Sequence, residues 1–376
     1  GAGRGALSRA LAKVWKTQGI SLKDFSLSLF EKDRSLFPEL KEQVSCLGFS
    51  QVHLYEDDYI LRSAEEDLAG DYTHAILNPP YKKISSKSSH RLALRRRGIE
   101  TGNLYSAFVA LALQQLRREG QLVAIIPRSF CNGPYFKPFR QQILSCAALT
   151  HIHLFESRTH AFQSDGVLQE NIIIRLVKAM EQEDVLVSLS GEVDFQNRSE
   201  RSYAFSQIVH RDDPDSFIRI PTEPPQETPS SGKHDARVSL DDIQAQVSTG
   251  PVVGFRLREF LREESGEGAV PLIYPAHLRH GRTRWPFSSG DKANAILVSP
   301  ETRKWLMPSG CYCLVRRFSS KEERHRIVAS VVEESDFDGS ELLGLDNKLN
   351  MFHFKKRGLD VEFAYGLAAY LNTDLV

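Results

Sequence analysis

The sequence contains little that would staple, anchor or polarise it. Its 376 residues hold only five cysteines: Cys46, Cys131, Cys146, Cys311 and Cys313. The closest two form a C-x-C, with no C-x-x-C and no second metal-spaced pair. That excludes a disulfide framework and a metal site such as zinc, and points to reduced thiols in the cytoplasm. No apolar run approaches the roughly 18 residues of a membrane span, and no signal peptide opens the chain. Basic and acidic residues balance, 48 against 48, so no global basicity announces a polyanionic partner. What remains is an ordinary globular composition, 41% hydrophobic and 26% charged, at a length that exceeds one comfortable core. Two domains are expected.

The first half alternates short apolar runs with amphipathic stretches, the pattern of a parallel sheet covered on both faces. Strands are expected at Phe25–Phe30, Val52–Tyr55, His74–Leu77, Gln121–Pro127 and Val167–Val177. A helix is expected from Leu104 to about Arg118, capped by Asn103 and closed by Gly120. Its apolar face is Leu104, Phe108, Leu111, Ala112 and Leu116. The Pro-, Ser- and Gly-rich stretch Pro221–Gly232 reads as linker. The expected organisation is therefore an α/β domain over 1–210, a linker over 211–240 and a mixed α+β domain over 241–376.

Asn78-Pro79-Pro80-Tyr81 follows directly on the strand Ala75-Ile76-Leu77. Two prolines fix φ and remove two donors, which leaves a rigid backbone with carbonyls free to accept. The Asn78 side chain adds an acceptor and Tyr81 a stacking face, a combination suited to a planar ring bearing an amino group. At the start of the chain, Gly1-Ala2-Gly3-Arg4-Gly5 opens a helix over Ala6–Lys16, where bare backbone admits a ligand closely. Glu31 ends the next strand and could hold both hydroxyls of a ribose, a pattern that also fits NAD. Glu56-Asp57-Asp58-Tyr59 ends the strand after it. Successive strand ends aimed at one sheet edge form the ligand-binding place of open α/β folds. Beside the Asn78 motif, Lys82, Lys83, Lys87, Arg91, Arg95, Arg96 and Arg97 make an acid-free basic run. Such a run is usually a solvated loop.

In order and spacing these residues resemble the γ-type N6-adenine DNA methyltransferases of restriction–modification systems. Gly1, Gly3 and Gly5 match the family's cofactor loop, Glu31 its ribose-binding acid, and Asp58 the carboxylate that contacts the cofactor's adenine. Asn78, Pro79, Pro80 and Tyr81 match its catalytic motif, Asn78 also bordering the cofactor. Softer matches are Asn103–Phe108, Pro127–Phe130 and Phe162, which resembles a second aromatic packing on the extruded base. The resemblance covers about residues 1–178 well, and the segment from Gly250 to Val376 less specifically. It implies a Rossmann-like α/β sheet, S-adenosylmethionine as cofactor and double-stranded DNA as partner. A restriction endonuclease, separate or fused, is a further expected partner. Lys82, Lys83, Lys87, Arg95, Arg96 and Arg97 would neutralise phosphates. The clusters His277–Arg284, Arg316-Arg317 and Lys355–Arg357 would lie in a target-recognition domain.

The family pattern also places a strand before the glycine loop, near the middle of the sheet. Unpaired edges are therefore expected between the strands ending at Glu31 and Leu77, with a pocket open on the methionine side. Two alternatives share parts of the pattern. One is a methyltransferase of glutamine side chains or ribosomal-RNA guanine, which carries the same Asn-Pro-Pro-Tyr. The other is a DNA-binding specificity protein without catalysis, distinguished by a cofactor titration.

Overall fold

A computed structural model describes residues 1–65, 70–155, 170–191, 198–221, 238, 240–279, 281–286, 293–319, 327–337 and 339–373. They fall into two compact units, Gly1–Thr228 and Pro229–Val376. The division lies inside the span 211–240, but that span does not begin as linker. Ile218 and Ile220 are buried in the first unit's core, and the Asp215 carbonyl receives the Arg140 guanidinium. Two alternating apolar residues among Asp, Pro and Ser are too faint a signal to outweigh the surrounding turn composition.

The first unit begins with helix α1 (Ala6–Thr17), strand β1 (Ser26–Phe30), helix α2 (Phe37–Ser45), strand β2 (Gln51–Tyr55) and helix α3 (Tyr59–Glu65). It continues through β3 (Tyr72–Leu77), α4 (Ser89–Arg96), α5 (Leu104–Gln115), β4 (Leu116–Pro127), α6 (Lys137–Cys146) and β5 (Ala147–Phe155). Strands β6 (Asn171–Lys178), β7 (Val185–Ser190) and β8 (Ser199–Tyr203) follow. β1 and β2 form a two-stranded parallel sheet, and the other strands a six-stranded mixed sheet in the order β3-β4-β6-β5-β7-β8. Period-two alternation builds the latter, with Leu122, Ala124 and Ile126 of β4 fully buried.

Among the described residues β1 and β3 share no ladder, as the sequence led us to expect. A cavity of about 440 Å³ lies between them, lined by Ala2, Leu11 and Trp15, by β1, and by β3 through Asn78 and Pro79. The apolar packing divides in the same way. Leu29, Leu40 and Val44 form a small cluster between α2 and the β1–β2 pair, separate from the large core around the six-stranded sheet. Trp15 spans the division, its ring 4.6 Å from Phe25 and 5.5 Å from His74.

Two expectations about α5 are corrected. The helix ends at Gln115 and the chain passes straight into β4, so Gly120 does not close it. The register instead shifts from Tyr72↔Leu116 to His74↔Gln121, with Glu119 at a left-handed φ of 62°. Nor is one face alone apolar: Tyr105, Ala107, Val109, Ala110, Leu111 and Leu113 are all buried, whereas Leu104 and Phe108 are only half-buried. Such a helix is wrapped by protein and loses its periodicity signal. Asn103 holds the N-cap position without a side-chain cap bond.

The second unit is richer in strand than the expected α+β mixture. A six-stranded sheet is centred on Tyr312–Arg316, between Ala329–Val332 and Leu349–His353, and a five-stranded one on Ala269–Ile273. One α-helix, Val361–Leu371, packs on Ala329 and Val331 through Ala364 and Ala368. No helix among the described residues is long and apolar enough to cross a membrane.

Candidate active site

The glycine-rich start folds against the end of β1. Gly3 and Gly5 take φ of 57° and 78°, and Gly5 is the residue before the first turn of α1. The Ala2 amide donates to the Phe30 carbonyl at 2.8 Å, and the Gly3 amide to Glu31 Oε2 at 2.7 Å. A Cβ at Gly1 would strike the Glu31 carboxylate, which would have to shift to admit it. Glu31 is buried, and its Oε1 accepts from the Lys32 and Asp33 amides at 2.8 and 2.9 Å. Three of its roughly four acceptor positions are thus filled by backbone. One acceptor position is left on the carboxylate, at Oε2.

Asp58 stands at the end of β2, where its Oδ1 accepts from the Ile60 and Leu61 amides at 3.1 and 3.3 Å at the start of α3. Its Oδ2 accepts from Lys32 Nζ at 2.9 Å and meets His90 Nε2 at 2.8 Å. Burial works to raise the carboxyl, but the hydrogen bonds from Lys32 and His90 outweigh it and hold Asp58 below the usual carboxylate range. Neither partner was found by sequence reasoning. Lys32 follows Glu31 directly, and His90 interrupts the basic run, which are the only cues available. Their consequence is specific: with the two amides they fill the roughly four acceptor positions of the Asp58 carboxylate. Neighbouring Glu56 pairs with Arg34 at 2.6 Å and Asp57 with Arg62 at 2.6 Å.

Asn78 follows β3 at the cavity rim. It is exposed, Pro79 is buried, Pro80 is exposed and Tyr81 is half-buried. The Tyr81 hydroxyl donates towards Asn78 Oδ1 and the Ile125 carbonyl of β4, each at 3.2 Å. This ties the motif to the adjacent strand and leaves Asn78 Oδ1 a second lone pair. The Tyr81 ring meets Tyr105 edge-on at 6.1 Å. Phe162 lies outside the described residues.

The basic run is half helix, not a continuous loop. Ser88 caps α4 by accepting from the Arg91 amide at 3.3 Å, while Ala93 and Leu94 are buried. Two apolar residues at helical spacing within the run carry that signal. Lys82, Lys83 and Lys87 are exposed, as are Arg95 and Arg96 at the helix end, and Arg97 is half-buried. Although the run contains no acid, Glu100 just beyond it pairs with Arg91 and, at 3.4 Å, with Arg95. Among the predicted residues, the structure thus brings the glycine loop to Glu31, whereas Asp58 is met by the unpredicted Lys32 and His90. Asn78 shares the cavity with Gly1, Ala2 and Phe30.

Residues 16–162 match the Eco57I restriction-modification methylase family. The type II methyltransferase M.BsuBI of Bacillus subtilis is 45% identical over 385 aligned residues, covering 99% of this chain and 76% of its own. The type II methyltransferase M.PstI of Providencia stuartii is 40% identical, covering 100% of this chain and 76% of its own. The chain therefore belongs to the type II DNA methyltransferases of restriction–modification systems, which use S-adenosylmethionine.

Proposed function

We propose that the protein transfers a methyl group from S-adenosylmethionine to N6 of an adenine extruded from double-stranded DNA. The observation that carries this reading is Asn78 Oδ1, held at the cavity rim by the Tyr81 hydroxyl with an acceptor position to spare. S-adenosylmethionine, when bound, supplies an electrophilic methyl on a sulfonium. The chain's own residues do the rest. Glu31, the glycine loop and Asp58 bind and orient. Asn78 Oδ1 and the Pro79 carbonyl accept from the N6 amine, drawing the nitrogen towards sp³ geometry and freeing its lone pair. The base must leave the stack to reach them, and the Tyr81 ring would pack on one face of it. Positioning and electrostatics carry the rate without a covalent enzyme intermediate.

Lys82, Lys83, Lys87, Arg95, Arg96 and Arg97 serve as phosphate contacts in this reading, and the second unit as target reader, in the cytoplasm and alongside a restriction endonuclease. Transfer of labelled methyl to unmethylated duplex DNA, followed by nucleoside digestion, tests the chemistry. The label should elute as N6-methyl-2′-deoxyadenosine. Label in methylcytosine, or none in DNA, would refute it.

A further inference from the structure

The loop between β4 and α6 is tied down more heavily than an ordinary surface connection. At its start the Arg128 amide donates to the Glu170 carbonyl at 2.7 Å, and the Arg128 guanidinium pairs with the Glu170 carboxylate at 2.8 Å. The Ile218 amide donates to the Cys131 carbonyl at 2.9 Å. Arg140 of α6 is completely buried, and its Nη1 donates to the carbonyls of Phe130, Asn132 and Gly133, each at 3.0 Å. Gly133 takes a φ of 73° that turns the chain, and Phe136 and Phe139 sink into the core behind it. At the tip of this rigid support stands Tyr135, 53% exposed. Among the described residues of the first unit it is the one exposed aromatic side chain.

The place where Tyr135 stands is specific. Its ring meets Phe136 edge-on at 4.8 Å, Phe136 meets Tyr105 at 5.6 Å, and Tyr105 meets Tyr81 of the Asn78 motif at 6.1 Å. Its phenol lies against Gly102, where any Cβ would collide with it. Gly102 belongs to the strip that holds the residues just after the motif: the Ile84 amide donates to the Gly102 carbonyl at 2.7 Å, and the Leu104 amide to the Lys82 carbonyl at 2.8 Å. A flat exposed ring thus lies against the strip whose backbone pairs with exposed Lys82 and Lys83, on a support that loses little entropy when something packs on it.

A polyanion with stacking faces is the partner that fits. We propose that Tyr135 is a DNA-contacting residue, its ring packing on a nucleotide of the methylated strand next to the target base. The assignment rests on the reading of Asn78–Tyr81 as the DNA-facing site.

The test compares full-length wild type, Tyr135→Ala, Tyr135→Phe and Gly102→Ala on unmethylated plasmid DNA. Four quantities are read: KM for DNA, DNA affinity by anisotropy on labelled duplex, affinity for S-adenosylmethionine by calorimetry, and Tm. Tyr135→Ala should raise KM and Kd for DNA about tenfold or more, as loss of a stacking platform does. Cofactor affinity and Tm should hold. Tyr135→Phe should stay near wild type, because the ring is kept. Gly102→Ala, which displaces the phenol, should follow Tyr135→Ala.

Unchanged DNA affinity in Tyr135→Ala overturns the proposal. So does a loss matched by falling Tm and cofactor affinity, which marks a purely structural side chain, or an equal loss in Tyr135→Phe. Should wild type transfer no methyl to DNA, the methyltransferase reading fails by itself. A fall in duplex affinity in Tyr135→Ala would still establish the contact.

Discussion

Arg140→Ala should cost the first unit about 3 kcal/mol or more of stability. The Arg140 guanidinium is fully buried, and its donors go to backbone carbonyls. Nε and Nη2 reach the Asp215 carbonyl at 3.0 and 2.7 Å, and Nη1 reaches those of Phe130, Asn132 and Gly133. The Phe217 ring lies 4.9 Å from its central carbon. Removal strands four carbonyls, and a buried acceptor without a donor costs about 1–3 kcal/mol. Water entering the vacated space will relieve some of them, so two uncompensated carbonyls give a lower bound of about 2 kcal/mol, with lost packing adding to it. That is a large share of a typical domain stability of about 5–15 kcal/mol. Arg140→Lys keeps the charge, but one ammonium has three donors and no planar fork, so an intermediate loss is expected. Urea unfolding gives the free energies, and amide exchange of residues 128–136 should accelerate in step. A cost below about 1 kcal/mol in Arg140→Ala, with exchange unchanged, would refute the idea that this side chain holds the loop.

Tyr81→Phe should lower turnover by less than about tenfold, since it removes one hydroxyl shared between Asn78 and the Ile125 carbonyl. Tyr81→Ala should lower it further by deleting the stacking face as well, and equal losses in the two variants would place the whole effect in the hydroxyl. The folded Asp58 carboxyl lies below its ordinary value, so the stability it contributes is present above that value and disappears as pH falls through the folded one. Asp58→Asn should therefore be less stable than wild type at pH 5–8 and converge with it in strong acid, as followed by urea unfolding across pH. Neutralising Arg95, Arg96 and Arg97 together should weaken binding to all DNA sequences alike and flatten its salt dependence. A changed methylation site in that variant would instead assign α4 to sequence reading.

Where residues meet near neighbours, their placement was legible in the sequence. Asn78–Tyr81 lies at the end of the strand that precedes it, and the glycines meet Glu31, because a strand end and the loop beside it are set by local pattern. That β1 and β3 share no ladder among the described residues was legible too, from the family pattern that the motifs resemble. What the sequence hid depends on distant partners. Arg140 reads as one more surface arginine until the chain returns at Asp215 to bury it. His90 reads as part of a solvated run until α4 carries it to Asp58, from a strand end more than thirty residues earlier in the chain. Tyr135 has no motif at all; only its perch over Gly102 distinguishes it from other aromatic residues. The early end of α5 escaped for another reason, since a helix buried on every side has no apolar face to mark its length.

In the proposed reaction Asn78 serves above all to hold the target amine. Single-turnover methyl transfer by full-length Asn78→Ala, beside calorimetric titration with S-adenosylmethionine, tests it most directly. Transfer should fall by about 10²-fold or more, as for loss of a group that acts mainly in the transition state, with cofactor affinity close to wild type. Turnover within a few fold of wild type would contradict it, and so would a loss of cofactor binding large enough to explain the lost transfer.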